Sequence, residues 1–279
     1  MSRLVVQHPR LADDAVAAFS AAVGALPVRR TASLAAWASA ELDGERLSEL
    51  ADAWQVDAEV VAPGLRLADF RLAAFDMDST LITIECVDEI ADYVGRKAEV
   101  AAITEAAMRG EIADYDESLR RRVALLAGLP ETTLERVWEE RVRLSPGAEP
   151  LVAALRAAGL RTLVVSGGFT FFTERLRRRL GLDLSRSNLL EVAEGRLTGR
   201  LLGPIVNADA KQRIVAQTCA QIGCSTAQTI VVGDGANDLR MMSIAGLSVA
   251  FHAKPVVRDE TTHAINHCGL DAILNFFEG

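Results

Sequence analysis

The chain has no excess of positive charge, no long apolar run and no paired cysteines, and each absence narrows what it can do. With 30 Lys and Arg against 38 Asp and Glu, the formal net charge is −8 and the isoelectric point about 5.2. Long-range repulsion therefore excludes a general nucleic-acid or anionic-membrane surface. An anionic substrate would need a local cationic site. No stretch approaches the roughly 18 apolar residues that span a bilayer, and the opening Met1–Pro9 lacks the apolar core of a leader. The four cysteines, Cys86, Cys219, Cys224 and Cys268, form no C-x-x-C pair and no disulfide framework. They read as buried or idle thiols in a reducing, cytoplasmic setting. Internal repeats and low-complexity tracts are also missing. His263 and His267 share the four-residue spacing of a helical metal pair. Without an H-E-x-x-H context, and beside the strand-like Thr261-Thr262 and Ala264-Ile265, they read as surface or structural residues.

Half of the 279 residues are apolar, enough for a full core and two or three subdomains. Residues 1–68 alternate strand and helix signals: strands at Leu4–Gln7, Leu34–Ala38 and Ala58–Val61, helices at Asp13–Val23 and Glu45–Trp54, then a break at Pro63-Gly64. This small α+β unit has the outline of an ACT-type regulatory module, with a homodimer through it as one expectation. Residues 85–144 carry almost unbroken helical periodicity with stops at Gly95, Gly110 and Gly128-Leu129-Pro130. They predict an all-helical cap inserted after the first core strand. Residues 69–84 and 145–279 carry the strand and helix signals of a doubly wound, Rossmann-like parallel α/β sheet. Glu194-Gly195, between apolar flanks, suggests a hairpin turn.

Four strings decide the reading, and three of them converge on the carboxyl edge of that sheet, where ligands of open α/β folds collect. The four are Asp76-Met77-Asp78-Ser79-Thr80, Ser166-Gly167-Gly168-Phe169, Lys211 and Gly233-Asp234-Gly235-Ala236-Asn237-Asp238. If strand alternation continues beyond Phe75, Asp76 and Asp78 face one cleft and Met77 points into protein. A capping or turn role explains any single aspartate, but not this recurrence at strand ends. Two carboxylates about 4 Å apart repel by roughly 4 kcal/mol at an effective dielectric near 20. Asp234 and a phosphate dianion would add to that, so a divalent cation is expected. Magnesium suits hard oxygen donors beside a phosphate. Taken singly, Lys211 would be a solvated helix-start lysine and Ser166-Gly167-Gly168 a polar turn. The hydroxyl and backbone N–H groups of Ser166-Gly167-Gly168, between a strand and a helix, could receive phosphate oxygens.

Together the strings resemble the haloacid dehalogenase superfamily of phosphotransferases, over about residues 70–275. Longer matching phrases narrow the likeness to its branch acting on O-phospho-L-serine: Phe75–Leu81, Glu85–Ile90, Ser118-Leu119 through Arg122-Val123, Val165–Phe169, Gly233–Leu239 and Ala253-Lys254-Pro255. The resemblance implies a magnesium-dependent hydrolase releasing L-serine and phosphate through a phosphoaspartyl intermediate, the last step of serine synthesis. Another small phosphomonoester, or phosphotransfer, is the alternative. It implies Asp76 as nucleophile and Asp78 as general acid and then base. Magnesium would be held by Asp76, the Asp78 carbonyl oxygen and Asp234, with Asp238 supporting. Ser166, the Gly167 N–H and Lys211 would hold the phosphoryl group, with Asn237 lining the pocket. Glu85 would receive the substrate ammonium and Arg122 its carboxylate. Without the match, Glu85 would read as a first-turn acid favoured by the helix dipole, like Asp88 and Glu89. Periodicity places Arg122 and Tyr115, seven apart, on one helix face with Leu119 and Leu126. The family usually has Phe where Tyr115 stands, and the stretch Met108–Tyr115 is one residue longer than usual, which bears on the apolar wall of the pocket.

Overall fold

In the computed structural model, which describes residues 2–38, 42–108, 111–112 and 114–278, two sheets organise the chain. The first is built from β1 (Arg3–Gln7), α1 (Asp13–Val23), β2 (Arg29–Arg30), β3 (Leu34–Trp37), α2 (Gly44–Trp54) and β4 (Asp57–Val61). Its strands are antiparallel in the order β2-β3-β1-β4. Period-two alternation in β1 sends Leu4 and Val6 toward Phe19 and Trp37 under the helices, while Val5 joins Leu34 and Val61 against the main core. Both faces of this sheet are therefore covered. The two-residue edge strand β2 carries no apolar signal and was not expected from the sequence.

The second sheet has the order β11-β10-β9-β5-β6-β7-β8. Its strands are β5 (Leu72–Phe75), β6 (Arg161–Phe169), β7 (Leu184–Ala193), β8 (Arg196–Leu202), β9 (Thr229–Gly233), β10 (Leu247–Phe251) and β11 (His263–Ile265). The central β5 is buried along its whole length, as a strand covered on both faces must be. Neighbouring strands pair in parallel except β8, which returns antiparallel to β7. The expected all-parallel sheet thus gains an antiparallel edge. Glu194 and Gly195 make the turn with φ of 51° and 71°, both left-handed, as a two-residue hairpin requires.

Four helices stand between β5 and the next core helix: α3 (Cys86–Tyr93), α4 (Lys97–Met108), α5 (Tyr115–Ala124) and α6 (Thr132–Glu140). The two linkers run side by side, with Ile82 bridging Leu144 and the Thr83 N–H donating to the Arg143 carbonyl at 3.0 Å. Gly110, expected to end a helix, and the longer stretch around Arg109 and Ala113 lie outside the described residues. Core helices α7 (Ala148–Ala157), α8 (Thr170–Leu180), α9 (Ala208–Ile222), α10 (Leu239–Met242) and α11 (Pro255–Arg258) complete the fold. His263 opens β11 and is buried, its Nδ1 2.9 Å from Glu59 Oε2 of β4, a structural position. No helix among the described residues is long and apolar enough to cross a membrane.

Candidate active site

β5, β6 and β9 end at one edge, and a cavity of about 90 Å³ opens there under the helices of residues 85–144. Of the residues predicted from sequence, Asp76, Asp78, Glu85, Tyr115, Arg122, Ser166, Gly167, Asp234 and Asn237 line it. Lys211 and Asp238 lie behind the wall, fully buried. Lys211 Nζ donates to Asp76 Oδ2 and to Asp238 Oδ1, each at 2.7 Å. Burial alone pulls Lys211 down, but the charges of Asp238 and Asp76 outweigh it and hold the ammonium above its ordinary value. Asp238 is itself pushed up by burial and by the Asp76 charge, with Lys211 opposing. At 2.7 Å from two carboxylates, Lys211 is the cation that anchors the group.

The expected strand alternation across Asp76 and Asp78 does not occur. β5 stops at Phe75, and Met77–Leu81 forms a tight turn in which Ser79 takes a left-handed φ of 54°. The turn exists because Asp76 Oδ1 accepts from the Met77 N–H at 2.7 Å and the buried Met77 side chain pins it from below. It still delivers both carboxylates to the cavity, by curling and not by alternation. Asp78 Oδ2 accepts from the Cys86 N–H at 3.2 Å at the start of α3, while Oδ1 is buried with no hydrogen-bond partner among the described residues. Burial, then the nearby Glu85, raise its pKa well above the ordinary carboxylate range. Asp78 is thus suited to carry a proton. Glu85 is pushed up to about 7 by burial and by the charges of Asp234 and Asp76, opposed by the Ser79 hydroxyl, which donates to its Oε1 at 2.7 Å.

Asp234 is pushed up to about 6 by burial and the Asp76 charge, and Thr80 Oγ1 donates to its Oδ1 at 2.9 Å. Asp76, Asp234 and Asp238 each place an oxygen within 4.8 Å of the others. Three hard carboxylate oxygens with a single cation behind them fit magnesium, and the net negative charge left on the Asp76–Asp234 side is where an ion would be drawn. Arg122 comes from α5, whose Leu119 and Val123 are buried, and its Nε is buried without a partner among the described residues. Tyr115 lies so close to Gly167 that a Cβ there would collide with its hydroxyl.

Several contributors have roles that their place in or outside the motif strings did not specify. Thr80 orients Asp234. Gly168 is tightly packed, since a Cβ would stand 2.8 Å from Met77 Cε and 3.1 Å from both Asp78 Oδ2 and Ser166 Oγ, so a side chain there would press on the two site groups. Asp116 of α5 accepts from Asn207 Nδ2 at 2.9 Å and so joins the helical insert to the cap of α9. The Ser166–Phe169 turn is the irregular end of β6, with a register shift between Val165 and Phe169.

A profile of the haloacid dehalogenase-like hydrolases matches residues 73–243, from β5 to the helix after Asp238. This chain belongs to that family. It is 60% identical over 219 residues to the phosphoserine phosphatase of Polaromonas sp. strain JS666, covering 77% of this chain and 93% of the relative. Over 228 residues it is 48% identical to the phosphoserine phosphatase of Streptomyces coelicolor, covering 82% of this chain and 55% of that one. A haloacid dehalogenase family hydrolase from Salmonella enterica serovar Typhi superimposes with a TM-score of 0.90 at 35% identity, covering 100% and 99% of the two chains. A substrate-bound phosphoserine phosphatase superimposes with a TM-score of 0.70 at 37% identity, covering 75% of this chain and 99% of that one.

Proposed function

We propose that this hydrolase cleaves O-phospho-L-serine to L-serine and phosphate through a phosphoaspartyl intermediate on Asp76. The observation that carries the reading is Arg122, whose buried Nε lacks a partner among the described residues and lies in the same cavity as the Glu85 carboxylate. An α-carboxylate and an α-ammonium answer those two groups, and only an amino-acid phosphate brings both. The identity of 60% to a phosphoserine phosphatase supports the same substrate.

In this reading the Asp76 carboxylate attacks phosphorus, the bond to the serine oxygen breaks, and the leaving oxygen takes the Asp78 proton. The raised pKa of Asp78 supplies that proton near neutral pH. Asp78, now a carboxylate, accepts a proton from water, which attacks phosphorus, breaks the acyl phosphate and restores Asp76. Ser166 and the Gly167 N–H hold the phosphoryl oxygens, Lys211 reaches them from behind Asp76 with the N–H left over from its bonds to Asp76 and Asp238, and Asn237 lines the pocket beside them. Asp76, the Asp78 carbonyl and Asp234, with Asp238 in support, would hold a magnesium ion, which would supply neutralisation of the charge gathered there. Positioning and electrostatics dominate, as suits a loose phosphoryl-transfer transition state.

The last step of serine synthesis, in a reducing cytoplasm compatible with four free thiols, is the setting of this proposal. Residues 1–68 would serve as a regulatory or dimerising unit beside a catalytic core of 69–84 and 145–279 and a cap of 85–144. A homodimer through that unit would use edge β2, with exposed Leu26 and Val28 before it. The test is phosphate release from O-phospho-L-serine, O-phospho-L-threonine and O-phosphoethanolamine with magnesium or EDTA. Magnesium-dependent release from the first substrate is expected. Release from an aryl phosphate but not from phosphoserine would overturn the substrate and keep the chemistry.

A further inference from the structure

Asn188 sits on β7, is 2% exposed, and uses both ends of its side chain on main chain. Its Nδ2 donates to the Gly167 carbonyl at 2.7 Å and its Oδ1 accepts from the Val206 N–H at 2.8 Å. Because one partner is an acceptor and the other a donor, only this orientation of the amide satisfies both. Buried and outside the lining of the cavity, it does not touch a substrate. Whatever Asn188 does, it does through the segments it holds.

One of these is the peptide unit between Gly167 and Gly168. Its oxygen is held by Asn188, and its N–H donates to Ser166 Oγ at 2.9 Å. Ser166 is buried, so a hydroxyl that accepts from Gly168 keeps its own hydrogen free to point into the cavity that it lines. The other segment leads to α9. Val206 precedes Asn207, whose Oδ1 caps the helix at the Ala210 N–H at 3.0 Å, and Lys211 follows one turn on. A single buried amide thus spans the two segments that present Ser166 and Lys211.

We infer that Asn188 is a positioning residue for phosphoryl transfer, aligning the Ser166 hydroxyl and fixing its distance from Lys211. The inference deepens the phosphatase reading above and rests on it. It needs no metal contact and no titration. Its signature is loss of transition-state stabilisation at the phosphoryl end, while the amino-acid end held by Glu85 and Arg122 is untouched.

Asn188→Asp and Asn188→Ala are compared with wild type in magnesium, by kcat and KM for O-phospho-L-serine and by inhibition with orthovanadate, which imitates the five-coordinate phosphoryl group. Losing one well-made hydrogen bond to the loop predicts a kcat lower by about 10- to 100-fold. KM should stay within about threefold, and the vanadate inhibition constant should rise about as much as kcat falls. Asn188→Asp keeps the acceptor for Val206 and the shape, so it serves if Asn188→Ala does not fold. In a Ser166→Ala background the Asn188→Asp effect on vanadate should shrink to about twofold, because the group being aligned is gone. An unchanged vanadate constant, or an undiminished Asn188→Asp effect in that background, overturns the inference. Vanadate reads the phosphoryl site whatever the leaving group, so a failed phosphoserine assignment remains distinguishable from a failed role for Asn188.

Discussion

Truncating Arg122 to alanine should separate substrates by their carboxylate. The guanidinium is carried on α5 between the buried Leu119 and Val123, which fixes its approach to the cavity, and its Nε meets no partner among the described residues. A carboxylate arriving there forms charge-assisted hydrogen bonds in a cavity of only about 90 Å³, where little water competes. Removing one partner of such a buried pair costs about 2–5 kcal/mol. Taking about 3 kcal/mol, kcat/KM for O-phospho-L-serine should fall about 150-fold. O-phosphoethanolamine has the ammonium and phosphate but no carboxylate, so wild type already lacks the contact and Arg122→Ala should change its kcat/KM by less than about threefold. Arg122→Lys should recover only part of the loss, since a point charge does not reproduce the planar fork. The assay is initial phosphate release for both substrates across the three proteins. Equal losses on the two substrates would refute the reasoning, because Arg122 would then be acting on the phosphoryl group or on the fold.

Asp76→Asn should lower turnover by at least about 10³-fold and abolish phosphoenzyme trapped by acid quench, since an amide is no nucleophile; labelled intermediate in the variant would reject Asp76. Asp57→Ala should destabilise the protein by about 3–5 kcal/mol with catalysis at 25 °C intact. The buried Asp57 carboxylate accepts from the N–H groups of Asn266, His267 and Cys268 at 2.6–3.2 Å, and a shift in denaturant midpoint worth under 1 kcal/mol would reject that role. Magnesium should raise the melting temperature more at pH 8 than at pH 5.5. Glu85 and Asp234 have folded values raised to about 7 and about 6, so the stability they confer is present below the unfolded carboxylate range and lost as pH rises through 6–7. The ion favours the ionised forms, so it restores most where that loss is complete; an increment that does not grow between these two pH values would reject the assignment of Asp234 to the metal.

The site was legible in the sequence because its residues punctuate apolar strands. Ala73-Ala74-Phe75 before Asp76 and Val231-Val232-Gly233 before Asp234 each mark a buried strand ending in polar chemistry, and parallel topology then brings the ends together. What was not legible depends on partners distant in sequence. The Met77–Leu81 turn exists because a carboxylate caps it, which periodicity does not report, although alternation did place Met77 in protein. β8 runs antiparallel because the Glu194-Gly195 turn is too short for a crossover, a fact visible locally but outweighed by the α/β alternation around it. Asn188 and Asp57 carry no motif or periodic signal in the sequence. Only the fold supplies the unpaired main-chain groups that make them necessary.

The helical insert is tied to the core at more than its two linkers, and this constrains how substrate enters. On the side away from those linkers, Gly128 donates to the Leu197 carbonyl at 2.8 Å, Leu197 to the Leu129 carbonyl at 2.8 Å, and Glu131 to the Gly195 carbonyl at 2.9 Å. Gly199, with φ of 80°, lets the hairpin approach the Ala124 backbone, where a Cβ would meet Ala124 O at 3.1 Å. Opening the cavity at the linkers alone would break all of these, at about 1 kcal/mol for each hydrogen bond exchanged for water. Moving the insert and the β7–β8 hairpin together keeps them, but gives up contacts that the pair makes with the rest of the core, among them Asn207 to Asp116, Arg175 to Glu135 and the pairing of β7 with β6. Asn188 lies on β7 and grips the Gly167 carbonyl, so the residue that aligns Ser166 also lies where motion of the insert with the hairpin would be felt.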